Sequence, residues 1–139
     1  MSLLERFAAA LNRHAPEDEQ AQPAREALVD LLVWTMFVDR HLSLAEHEKL
    51  DELTDGLTWT ATVGLPEFFG ESVARAREAI DTEANGTAYL ATITERLGDR
   101  ETRRQAIIAC EQMMGADGKL TPEEVAHLLA VSKAFGLRD

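Results

Sequence analysis

The residues with the clearest capacity for chemistry are four acids that occur in two pairs at one spacing, Asp39 with Glu46 and Asp117 with Glu124. Carboxylate oxygens of this kind suit hard divalent cations. Laying Met36–Leu50 over Met114–Leu128 brings the pairs into register, with identities at Met36/Met114, Asp39/Asp117, Leu42/Leu120, Glu46/Glu124 and Leu50/Leu128. Ser43/Thr121 is a conservative pair, and upstream Arg25 matches Arg103. In each copy an apolar helix arrives, an Asp stands at the turn, a leucine returns to the core and a Ser or Thr opens the next helix. Two such units predict pseudo-repeated helical hairpins packed through their first helices.

The second copy, Asp117-Gly118-Lys119-Leu120-Thr121-Pro122-Glu123-Glu124, matches the later half of a calcium-binding EF-hand loop. There a glycine permits a sharp turn and a terminal Glu binds the ion through two oxygens. Met113 and Gly115 stand where the loop's first acidic ligands belong, and Arg40 replaces the glycine in the first copy. A standard EF-hand is therefore not expected. The same residues also have a purely structural account. Thr121–Glu124 is a capping box with proline at the first helical position, and Ser43-Leu44-Ala45-Glu46 has the same spacing. Acids at a helix start complement its dipole. Asp39 and Asp117 fall instead near the end of the incoming helix, where negative charge is unfavourable unless offset, although a turn Asp can bond the backbone ahead of it. Caps are commoner than acidic turn sites, so the residues alone favour capping.

The elements that must position these acids read as helices throughout. Leu3, Leu4, Phe7, Ala8 and Leu11 give a short amphipathic helix. A second helix begins near Pro23 and runs to about Asp39, apolar almost all round, as in a helix buried at the centre of a bundle. Ser43 opens a third, reaching about Asp55, with Leu44, Leu50, Leu53 and Leu57 as core contacts. Thr58–Leu65 is read as a loop, with a short strand as the alternative. Pro66 begins a helix carrying Phe68, Phe69, Val73, Ala76 and Ile80, and Asn85–Gly86 reads as a break. Ala88, Leu90, Ala91, Ile93 and Leu97 form the next face, which stops at Gly98. Asp99 caps a helix through Ile107, Ile108, Cys110, Met113 and Met114, and a last helix runs from Thr121 to Gly136. The expectation is an all-α single domain over residues 1–139, a bundle of about six to seven helices with repeat units at about 24–57 and 99–137.

Composition narrows the function. The net charge of −11, with no basic run longer than Arg103–Arg104, argues against nucleic acid and anionic membranes and favours cations or basic partners. Leu28–Val38 is interrupted by Asp30 and too short to span a bilayer. The N-terminus lacks the pattern of a signal peptide, and the lone Cys110 fits a reduced, cytoplasmic setting as a buried core thiol. His41 and His47 do not share a helical face, and no zinc pattern accompanies them. Surface positions are expected for both, and His14 and His127, isolated in the sequence, are read in the same way. Trp34 and Trp59 are read as core or loop anchors, and the hydrolase and nucleotide signatures are missing.

The pattern of an apolar helix ending in A-D-G-x-Φ-[ST]-x-E-E, here Ala116–Glu124, resembles the TerB-like tellurite-resistance family. VDRHLSLAE at Val38–Glu46 resembles it as a more degenerate copy. The resemblance implies an all-helical bundle whose acidic motif residues bind a divalent metal. Carried over by position, it makes Asp39, Glu46, Asp117 and Glu124 the metal ligands, with Glu123 peripheral and Ca²⁺ or Mg²⁺ favoured over Zn²⁺. Arg40 and His41 put positive charge beside the first copy, so the second is the better site. The implied role is a non-catalytic module of tellurite or chemical-stress response that displays an acidic surface to a protein partner. Two alternatives stand beside it: a purely structural helical interaction protein, and an enzyme with paired carboxylates at a metal centre.

Overall fold

The seventeen residues from Gln22 to Val38 form the helix around which the others are arranged. Every residue from Ala27 to Met36 is buried, so the middle of this helix has no side left for water. Such a helix is stable only when surrounded. The computed structural model describes residues 3–38, 50–114 and 121–137, and among these there are helices but no strand. They are α1 (Leu3–His14), α2 (Gln22–Val38), α3 (Leu50–Leu53), α4 (Leu65–Ala79), α5 (Glu83–Leu97), α6 (Arg100–Met114) and α7 (Pro122–Ala134). A single 3₁₀ turn at Glu19–Ala21 leads into α2. Helices α1, α4, α5, α6 and α7 all pack against α2.

Helix ends follow local chemistry. Asp99 accepts from the Thr102 N–H at 2.7 Å, a bond that holds its carboxyl below the usual range. Thr82 caps α5 by accepting from Asn85 N–H at 3.0 Å. Gly98 and Gly136 end their helices at φ 82° and 73°, backbone that a side chain would strain.

Several expectations need correction. Asn85–Gly86 is no break: it lies in the first turn of α5. A Cβ on Gly86 would come within 3.2 Å of the Ala79 carbonyl and 3.6 Å of Trp34, so this glycine permits α5 to approach α4 and α2 closely. Asn85 adds an amide bond to the Glu78 carbonyl. Ile80, Ile108, Ala88 and Ala91 face solvent rather than the core. The loop expected after Thr58 does form, running to Gly64 without a strand, and in it Trp59 stacks edge-on against Phe68 and donates to the Val63 carbonyl. Of the third expected helix, the start from Ser43, Leu44 included, lies outside the described residues, and Leu50 is buried.

Asp30 places a carboxylate inside this apolar frame. Its two oxygens accept from Arg75 Nη2 on α4 and Arg96 Nη2 on α5, each at 2.8 Å, while its side chain is 1% exposed. Both arginines reach it from partly exposed positions. Arg75 also lies over the Phe68 ring, 4.9 Å from its centroid.

A second buried polar group links α2 to α6 and α7. The Thr35 hydroxyl donates to the Leu31 carbonyl at 2.7 Å, so its oxygen is free to accept from His127 Nε2–H at 3.0 Å and from the Cys110 thiol at 3.6 Å. Trp34 meets the His127 ring edge-on at 4.8 Å. Burial pushes the His127 imidazole down to about 4 and the Cys110 thiol up to about 12. Contrary to the expectation from its isolation in sequence, His127 is thus a structural core residue.

Two measurements follow. Replacing Arg75 and Arg96 together by Met strands a buried charge and should cost about 3–5 kcal/mol in urea unfolding. Adding Asp30→Asn to that pair should recover most of the loss. For His127, the unfolded chain takes a proton near 6.5 whereas the native chain resists until about 4. Between those values the unfolded state binds more protons, so stability falls as pH drops through this window and is complete above it. The loss from this group between pH 7.5 and 4.5 should be roughly 2.5 kcal/mol, read as the difference in pH slope between the wild type and His127→Gln.

Candidate metal site

Of the four expected ligands, Glu124 lies among the described residues; Asp39, Glu46 and Asp117 lie outside them. Glu124 is buried at 4% exposure in the first turn of α7. Its Oε1 accepts from the Thr121 N–H at 2.9 Å, while its own N–H donates to Thr121 Oγ1 at 3.2 Å. This is the reciprocal capping box that the spacing predicts, with Pro122 at the first helical position. The box fixes the orientation of the carboxylate and engages one of its oxygens. Glu123 beside it is exposed.

Helix directions establish which end of the bundle carries this turn. Arg103, early in α6, donates to the Phe135 carbonyl at the end of α7, so these two helices run antiparallel. Asp30 of α2 pairs with Arg96, four residues before α6 begins, and Thr35 further along α2 reaches Cys110 further along α6. Helices α2 and α6 therefore advance in the same sense. The C-terminal ends of α2 and α6 and the N-terminal end of α7 lie at one end of the bundle, and the chain enters both acidic windows from there.

The inner stripe of α7 holds the capped turn against that frame. Glu124, His127 and Val131 are buried at spacings of three and four, the period of one helical face. Arg100 Nη1 and Arg103 Nη1 hold the far end of α7 through the Gly136 and Phe135 carbonyls at 3.0 and 2.9 Å. Among the described residues, no group of three or more His, Cys, Asp or Glu is placed to hold a metal ion. Two clefts, each of roughly 300 Å³, open elsewhere: one between α4 and α5 beside Arg75 and Tyr89, the other beside Asn12 and Asp55. Neither is lined by Glu124.

Sequence reasoning missed Asp30, His127 and Arg25. Arg25 is fully buried, with its guanidinium bonded to the carbonyls of Pro16, Asp18 and Glu19, to Gln22 Oε1 and to Thr60 Oγ1. The available signal was a charged residue inside an apolar helix, which must find a partner. For His127 the signal was its place between Glu124 and Val131 on one helical face.

A family model described as Tellurite resistance protein TerB matches residues 25–139, a stretch that includes Asp39, Glu46, Asp117 and Glu124. Helix α1 precedes that stretch, yet it packs on α6 and α2. Comparison with the curated proteins and with the solved structures gives no match. With a TerB match over most of its length and helices throughout its described residues, the chain belongs to the TerB family of tellurite resistance proteins.

Proposed function

We propose that this chain is a non-catalytic TerB module of the tellurite or general chemical-stress response. In this reading it binds a divalent cation through Asp39, Glu46, Asp117 and Glu124 and offers its acidic surface to a protein partner. The observation that carries the reading is the family match across residues 25–139, which spans both acidic windows. The net charge of −11 supports a cation or a basic partner surface. All four groups are carboxylates, which favours Ca²⁺ or Mg²⁺ over Zn²⁺. Binding would order the two turns and so alter the surface that a partner meets. The lone, buried Cys110 suits a reducing compartment such as the cytoplasm.

One observation favours a second reading. Glu124 already has a structural task, since its Oε1 completes the capping box. A purely structural interaction module would need nothing more from it.

Glu124→Gln separates the two, because glutamine keeps the box but not the charge. On the metal reading, calorimetry shows saturable heat with Ca²⁺ or Mg²⁺, and Asp117→Ala/Glu124→Ala abolishes it. Glu124→Gln then weakens binding by on the order of tenfold or more while shifting unfolding stability by less than about 0.5 kcal/mol. On the structural reading, Ca²⁺, Mg²⁺, Mn²⁺ and Zn²⁺ all leave the melting temperature unchanged. Identical negligible heats for the wild type and the double variant would sink the metal reading.

A further inference from the structure

Helix α7 has a buried inner stripe, Glu124, His127 and Val131, and an outer side that is mostly aliphatic. Its inner stripe packs against α2, α5 and α6. Its outer side exposes Pro122, Val125, Ala126, Leu129, Ala130 and Ala134, with Val125 at 41% and Leu129 at 43%. An amphipathic helix whose inner stripe is already buried ordinarily presents polar residues to water on its outer side, and most of this outer side is aliphatic instead. Three of the four large aliphatic residues exposed among the described ones, Ile108, Val125 and Leu129, lie on the α6–α7 hairpin. Val125 and Leu129 stand one turn apart on α7, so their exposed side chains adjoin on this side.

The charges on this side specify what covers it. The exposed charged residues of α7 are Glu123 near its start and Lys133 near its end. They are ten residues apart, about 15 Å along a helix, with the aliphatic patch between them. We propose that this face pairs with the same face of a second copy, the two α7 helices running antiparallel across a twofold axis. The axis passes near the middle of the patch, between Ala126 and Ala130. Each Glu123 then lies at the level of the other copy's Lys133, and each patch covers its twin. A parallel pairing would set like charges together. Ala126 and Ala130, one turn apart, let the two helices approach closely. Such a contact is isologous and closes as a dimer rather than growing into a fibre. It uses the outer side of α7, away from the capped carboxylate of Glu124, and draws on none of the four proposed metal ligands.

Sedimentation equilibrium of the full chain from micromolar to millimolar concentration tests it. A monomer–dimer equilibrium is expected. Leu129→Glu, at an exposed position, should weaken association by on the order of tenfold or more while leaving the far-UV helical spectrum intact. Lys133→Glu should weaken it about fivefold, and adding Glu123→Lys should restore it. A chain that remains monomeric throughout overturns the proposal, as does a dimer indifferent to Leu129→Glu. A dimer that responds to Leu129→Glu but not to the charge reversal and its rescue overturns the antiparallel arrangement.

Discussion

A helix buried on every side must satisfy its polar groups within the protein, and α2 carries three such groups at intervals of five residues: Arg25, Asp30 and Thr35. Five residues turn a helix by about 140°, so the three point in different directions around its axis. Each meets a different part of the bundle. Arg25 collects the carbonyls of the turn before α2 and the hydroxyl of Thr60. Asp30 draws in α4 and α5 through their arginines. Thr35 takes the Cys110 thiol of α6 and the His127 imidazole of α7. Apolar burial supplies the drive for helices to surround α2, but it is non-directional. The three polar groups supply direction, because a neighbour sliding by one turn would leave a buried partner unsatisfied.

That division of labour explains which features were legible in the sequence. Period alone gives α1, α2 and α6 nearly to their ends, and the capping residues Asp99 and Thr121 act locally, so their chemistry can be read from a few neighbours. Asn85–Gly86 misleads for the opposite reason. Its local signal is a turn, whereas its meaning is tertiary: the missing Cβ makes room for the Ala79 carbonyl and Trp34. The partners of Asp30 lie 45 and 66 residues away, and nothing in the spacing distinguishes Arg75 and Arg96 from the other arginines. At the candidate site, the capping role of Glu124 was readable and is realised; what else converges there depends on Asp39, Glu46 and Asp117, outside the described residues.

The matched arginines of the two windows show how far an equivalence in sequence carries into structure. Arg25 and Arg103 both spend their guanidinium groups on backbone carbonyls, which Arg does well because its several donors lie in one plane. Their objects differ. Arg25 is fully buried and ties only the stretch before its own helix and Thr60, whereas Arg103 bonds the Asp99 carbonyl before α6 and also reaches across to the end of α7. The surroundings differ in the same way, since α2 is enclosed by five helices and α6 keeps an exposed side at Arg104, Ile108 and Glu111. The second window therefore begins from a hairpin near the surface and the first from the centre of the bundle. Thr35 and His127 join the two frames: the threonine stands one turn before α2 ends, and the histidine one turn after the Glu124 cap. Among the described residues this hydrogen bond ties α2 directly to α7, so a displacement of the α7 terminus would strain it.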